Sequence, residues 1–376
     1  MIHKLLIVSL LIGISISDTT QKTENVANSN IQNIIEKNAK RFLKAKNVNS
    51  VSIGIVKSGE KYSGHYGEIT KGKGDTPNDE TLYEIGSVTK TLTGFILAKA
   101  VIEEKIDLEV DIRNYFNGDF SNLEFNKKPI TVRNLITHTS GLPLFLPNEM
   151  NGLYETLAPN VPEKYLELEK EYDKERFFDD LGEYTLTQEP GTRYSYSNVG
   201  TEILGYILEK TYNKSIDQLY QEIFTQYGLE DTQIMLNTEQ EERLVKGYWL
   251  SNDLHSPNNL NALWATGSGA KMTMSDMLDY AKLQLDDANE VVKESHRILS
   301  DKQTSRTTAY LWDVKQDKYG TYYNHHGGTS GVQNWLFIFP KYEVAISIIT
   351  NHSSAKTPRL LSKTAKNILD NLLKLD

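Results

Sequence analysis

The chain of 376 residues contains no cysteine. That excludes disulfides, thiolate metal ligands, cysteine nucleophiles and a lipid-modified N-terminal cysteine together. Positive charge is also in short supply. A formal net charge of −9 at pH 7 argues against a nucleic-acid partner, which needs a basic surface, and offers nothing to an anionic membrane. The eight histidines form no His-Glu-x-x-His pattern, so no metal site is expected, and no Gly-x-Ser-x-Gly elbow is present. Repeats and low-complexity tracts are absent. What remains is 39% apolar and 10% aromatic residues over a length that suits two domains, or one large domain carrying an insertion.

The one N-terminal apolar run, within MIHKLLIVSLLIGISIS, follows Lys4 and extends from Leu5 to Ile14, too short to cross a bilayer comfortably. With small residues at Ser15 and Ser17 it reads as a signal peptide over 1–17, followed by a polar leader. A secreted, periplasmic or cell-envelope protein is therefore expected, with no stable membrane span once the signal is removed.

From Ile31 the apolar residues Ile34, Ile35, Ala39, Phe42 and Leu43 recur at helical spacing. VSIGIVKSGEKYSGHYGEI reads as a hairpin turning at Ser58-Gly59. A helix is expected from Ser87 to about Ile102. Helical patterns dominate 111–254, and a further helix, SDMLDYAKLQL, has Ser275 as its expected N-cap. Strands are expected at TAYLWDV, GVQNWLFIFP and EVAISIIT, and a last helix from about Pro358. Strands thus lie toward both ends of the chain. The economical arrangement is an α/β (α+β) fold, in which one antiparallel sheet domain formed by 18–110 and 255–376 is flanked by helices and a helical domain, 111–254, is inserted. A cleft between the two is where a small-molecule site belongs.

Ser-x-x-Lys occurs four times, at Ser58/Lys61, Ser87/Lys90, Ser268/Lys271 and Ser353/Lys356. Only Ser87/Lys90 opens an apolar helix. There the i, i+3 spacing aligns the two side chains, and the free N–H groups of the first turn favour developing negative charge. Tyr196-Ser-Asn198 lies at a loop-to-helix junction. Beside Lys90, a tyrosine lowered in pKa by the cation can act as general base, and Asn198 can orient Lys90. In HHGGTSG, from His325, the glycines allow a substrate close to the backbone. Each pattern alone is common, since Tyr-x-Asn also occurs at Tyr115 and Tyr322. Their order along the chain is more specific.

In that order, Ser87-Val-Thr-Lys90, Tyr196-Ser-Asn198 and His325-His-Gly327 resemble the serine β-lactamase and penicillin-binding DD-peptidase superfamily, in its class C β-lactamase-like branch. Flanking segments such as LITHTSGLP (135–143) are similar too, and the resemblance runs from about 30 to 375. It implies a β-lactamase/transpeptidase-like fold and acyl-enzyme chemistry without a cofactor. Ser87 would be the nucleophile, with Lys90 and Tyr196 managing the proton. The N–H groups of Ser87 and Gly328 would hold the oxyanion. Asn198, His325, Gly327 and Gly328 would bind a small-molecule or peptide substrate, whether a β-lactam, a D-Ala-D-Ala peptide or an ester. The resemblance implies a β-lactamase or a D-Ala-D-Ala carboxypeptidase or D-peptidase. A carboxylesterase and a catalytically weak penicillin-binding protein stand as alternatives, because His326 replaces the hydroxyl residue that carboxylate-binding members carry. His325, where many relatives have lysine, is expected to titrate near neutrality and to give acylation a matching pH dependence. His138 is read as structural.

Overall fold

A computed structural model describes residues 28–375 apart from 252, 259–262 and 301–304. The expected signal peptide, 1–17, lies outside the described residues. Helix α1 (28–42) turns Ile31, Ile35, Ala39 and Phe42 into the core, following the spacing seen in the sequence. Strands β1 (Ser50–Lys57) and β2 (Glu60–Gly67) form the expected hairpin. Its two turn residues, Ser58 and Gly59, both have left-handed φ, the conformation that matches the twist of paired strands.

Four strands from the far end of the chain complete the sheet: β3 (Asp313–Asp317), β4 (Gly320–Gly328), β5 (Gln333–Phe339) and β6 (Val344–Thr350). The order is β2-β1-β6-β5-β4-β3, antiparallel throughout. The join between the two ends of the chain is the β1–β6 pairing, which sets Ile53 opposite Ile348.

Alternation along the strands separates two cores. Val51, Ile53, Ile55, Ile346 and Ile348 pack with α1 and the C-terminal helix, Thr357–Leu372, through Leu361, Ile368, Leu369 and Leu372. The opposite face meets a larger cluster that includes helix α2 (Thr89–Ile102), which is buried on nearly every side. Gly54 of β1 is tight against the helix Met274–Leu283, since a Cβ there would lie 2.6 Å from Met274 Sδ.

Three local expectations change. TAYLWDV is strand only from Asp313, because Leu311 has a φ of +62° and Ala309 N–H closes a turn on Trp312 C=O. The N-cap of Met274–Leu283 is Thr273, whose extended backbone frees its hydroxyl to accept from Asp276 N–H at 3.1 Å; Ser275 lies inside the helix. The histidine–glycine motif, which lies ahead of the expected strand at GVQNWLFIFP, is itself strand: it forms the last residues of β4, and β5 follows from Gln333. Among the described residues no helix is long and apolar enough to cross a membrane.

Candidate active site

The site is assembled where the start of α2 meets the end of β4. Gly86 has a φ of +50°, and a Cβ on it would stand 2.6 Å from Gly328 N. Glycine at position 86 therefore lets the turn Gly86–Val88, which carries Ser87, lie directly against the strand end. Gly327 is as constrained: its Cβ would lie 2.0 Å from Ile85 C=O. Two side chains clasp the same junction. Asn334 Nδ2 donates to Ile85 C=O at 2.9 Å, and Thr329 Oγ1 donates to Glu84 at 3.0 Å.

Lys90, the second residue of α2, is fully buried. Its Nζ stands 3.3 Å from Ser87 Oγ, 2.6 Å from Asn198 Oδ1 and 2.6 Å from Gly267 C=O. Burial lowers its pKa from 10.5 to about 7. The other three Ser-x-x-Lys pairs are placed differently. Ser58 is in the hairpin turn, Lys271 Nζ donates to Ile234 C=O, and Ser353 Oγ accepts from Gln333.

Asn198 is the first residue of helix α3 (Asn198–Tyr212), capped by Ser197, whose Oγ accepts from Gly200 N–H at 2.9 Å. The LITHTSGLP segment fixes this entry. Ser197 Oγ donates to Pro143 C=O at 2.6 Å, Asn198 N–H to Leu144 C=O, and Ser195 N–H to His138 C=O. His138 also accepts from Ser197 N–H on Nδ1 and packs its ring 4.5 Å from that of Tyr196. It thus orients the tyrosine, a contact that sequence spacing does not reveal. Gly267, whose carbonyl receives Lys90, was likewise missed; only the nearby glycine-flanked Ser268 hinted at it.

Burial raises the pKa of Tyr196, and the neighbouring Ser87 hydroxyl only partly opposes the shift. Lys90 Nζ faces the ring, 4.9 Å from its centroid. The expected phenolate is thus corrected: Tyr196 is a protonated donor, and the group shifted toward neutrality is Lys90. His325 is corrected too. Burial lowers it to about 4, with Lys90 adding to the effect and Asp313 opposing it, so it is neutral at pH 7. Its Nδ1 lies 2.8 Å from His326 C=O, an acceptor, so Nδ1 carries the proton and Nε2 is the free acceptor. His326 points the other way, to Gln333 Oε1 at 2.7 Å, and Gln333 donates in turn to Ser353.

These groups border a cleft of about 630 Å³. Level with the middle of β4, where Asp313 pairs with Asn324, lie Tyr194 and Arg306, with Arg306 Nη1 3.4 Å from Asp313 and from Tyr194. Past Gly328 the walls combine Thr329, Ser330, Gln333 and Ser353 with apolar side chains that include Leu157. Among the described residues no group of histidine, aspartate and glutamate side chains is arranged to hold a metal.

Comparison with known proteins bears on the family and the fold. The family model described as Beta-lactamase matches residues 35–368. The chain is 24% identical over 381 residues to a β-lactamase of Providencia stuartii, covering 91% of each. It is 26% identical over 361 residues to the protein flp of Staphylococcus aureus strain MRSA252, covering 92% of this chain and 67% of that one. A β-lactamase/D-alanine carboxypeptidase from Yersinia pestis has a similar structure, with a TM-score of 0.77 at 18% identity over 91% of this chain and 98% of that one. A class C β-lactamase gives 0.75 at 19%, over 91% and 98%. The fold is therefore that of the β-lactamase/transpeptidase proteins.

Proposed function

Since the chain belongs to the beta-lactamase family, we propose that it is a serine hydrolase that cleaves an amide or ester bond through an acyl-enzyme on Ser87. The surroundings of Lys90 carry this reading. A neutral amine has two N–H donors and one lone pair. Asn198 Oδ1 and Gly267 C=O, both at 2.6 Å, take the two donors, and the lone pair is left for the Ser87 hydroxyl at 3.3 Å. Lys90 accepts the Ser87 proton as Oγ bonds to the substrate carbonyl carbon. The N–H groups of Ser87 and Gly328 hold the oxyanion. On collapse, the bond to the leaving group breaks and Tyr196 protonates that group. Tyr196 recovers its proton from the Lys90 ammonium. Water then repeats the sequence on the ester and frees Ser87.

The substrate is a β-lactam, a D-Ala-D-Ala peptide or a carboxylic ester. One observation favours the ester: among the described residues, the end of the cleft beside Tyr196, where the leaving group lies, has no uncompensated cation for a carboxylate. Arg306 faces Asp313, and His325 is neutral. The test is intact-protein mass spectrometry after exposure to a fluorescent penicillin and, separately, a fluorophosphonate, followed by turnover of nitrocefin, a D-Ala-D-Ala peptide and a p-nitrophenyl ester. Adduct mass on Ser87, absent in Ser87→Ala, is expected. A folded protein that takes up neither reagent overturns the hydrolase in favour of a non-catalytic protein.

A further inference from the structure

The cleft has two ends, ordered by β4. Midway along that strand Asn324 pairs with Asp313, beside Arg306, Tyr194 and Tyr196; its end, at Gly328, pairs with Gln333, which reaches Ser353. Ser353 pairs with Trp249 in a short strand contact, and Trp249 Nε1 donates to Ala158 C=O at 2.8 Å. The segment around Leu157 therefore stands beyond Gly328, at the end away from Tyr196. With a leaving group over Tyr196, the acyl portion of a substrate extends toward Leu157.

That end is apolar. Leu144, Phe145, Leu157, Tyr165, Leu166 and Leu263 line it. Among the described residues the charged side chains bordering the cleft are Glu84, Lys271, Arg306 and Asp313. Arg306 and Asp313 are at the far end, and Glu84 is paired with Lys271 in a short antiparallel contact under Thr329. Two features set Leu157 apart. Leu144 and Leu157 are 37% and 39% exposed, two of only six large hydrophobic side chains so exposed among the described residues, and both face the same cleft. Leu157 also has a φ of +46°, a left-handed conformation that a residue with a Cβ rarely adopts. Its surroundings hold it there. Besides the Trp249 bond, Asn151 accepts from Phe145 N–H and donates to Phe145 C=O, tying the two walls together. An apolar side chain kept exposed and strained at the edge of a cleft is a surface awaiting an apolar ligand.

We propose that this arm is an acyl-chain subsite, which makes the preferred substrate one with an uncharged apolar acyl group, aliphatic or aromatic, selected by Leu144 and Leu157. The inference rests on the acyl-enzyme reading for its direction along the cleft.

The experiment has a catalytic and a binding arm. kcat/KM is measured for p-nitrophenyl acetate, butyrate and hexanoate, and for ethyl, butyl and hexyl acetate. Each methylene that leaves water is worth roughly 4-fold, from about 0.8 kcal/mol. A half-open arm therefore predicts a gain of about tenfold or more from acetate to hexanoate, and a smaller gain when the same carbons are moved to the alcohol. Leu157→Asp and Leu144→Asp, at exposed positions where folding tolerates a charge, lower the hexanoate-to-acetate ratio about tenfold. In parallel, binding of hexanamide against acetamide to Ser87→Ala is followed by calorimetry. Ester turnover with no acyl-length preference, or with the preference in the alcohol, overturns the subsite and leaves the hydrolase standing. Tighter binding of hexanamide, weakened by Leu157→Asp in the Ser87→Ala background, upholds the subsite even if no ester is cleaved.

Discussion

At the scale of single residues, the site is decided by which side chain burial neutralises. Lys90 and Tyr196 are both enclosed, and the same desolvation acts on them in opposite chemical directions. It lowers the lysine toward its neutral base form and raises the tyrosine, keeping its proton. The sign of the pH dependence follows. The active form of Lys90 is neutral, so Ser87 acylation is low below about pH 7, rises through that value and levels above it. His325, lowered to about 4, changes charge below this range and adds no second limb between pH 5 and 9. Stopped-flow acylation across pH 5–9 checks this; a curve falling toward high pH would contradict a neutral base. Lys90→Met should slow acylation by about 10²–10⁴-fold, the contribution of a positioned base. The residues themselves were legible in the sequence, because Ser87, Lys90, Tyr196, Asn198 and His325 do converge. Their protonation was not. A lysine next to a tyrosine suggests a phenolate, and only the depth of burial, set by residues such as Gly267 and His138 far along the chain, reverses that.

At the scale of elements, the site depends on two backbones approaching more closely than side chains permit. Ile85 C=O and β4 meet because residue 327 has no Cβ, and the Gly86 turn meets Gly328 for the same reason. Gly327→Ala places a methyl 2.0 Å from Ile85 C=O and 2.6 Å from Asn334 Nδ2, so strand and turn must separate. Ser87 labelling should fall at least about tenfold, and the melting temperature should drop by several degrees for a cost of about 1–3 kcal/mol. Gly182→Ala is the control. It lies within the helix Lys174–Glu183, its Cβ meets only Phe120 at 3.9 Å, and alanine favours the helix by up to about 1 kcal/mol. Labelling is expected to stay unchanged there, with melting unchanged or raised. If Gly327→Ala labels at the control's rate, the close approach does not build the oxyanion site. Element identities were readable where one face alone is buried, as in α1 and the β1–β2 hairpin. Strand β4 was not, since TYYNHHGG shows no alternation of apolar and polar residues. Its pairing is imposed by β3 and β5 on either side.

At the scale of the whole molecule, the sheet separates a core that holds the site from one that does not. That the sheet draws on both ends of the chain was expected from where the strand patterns fall, whereas the division of the cores depends on register, which pairs Ile53 with Ile348 and turns both away from α2. Stability and activity should therefore be separable by face. Ile368 is fully buried in the outer cluster with α1 and the β1 and β6 isoleucines. Ile368→Ala removes buried methyl and methylene groups and leaves a cavity, at a cost of about 2–5 kcal/mol. The loss is shared by N- and C-terminal segments, so unfolding stays one transition with a lowered midpoint. The catalytic groups belong to the other face, so Ser87 labelling well below the new midpoint should match the parent protein. Leu92→Ala, two residues after Lys90 and buried in the inner cluster, should lower both. Denaturant melts paired with labelling rates at 20 °C make the comparison. If Ile368→Ala slows labelling while circular dichroism shows a folded protein, the sheet transmits outer packing to the site and the two faces are not independent.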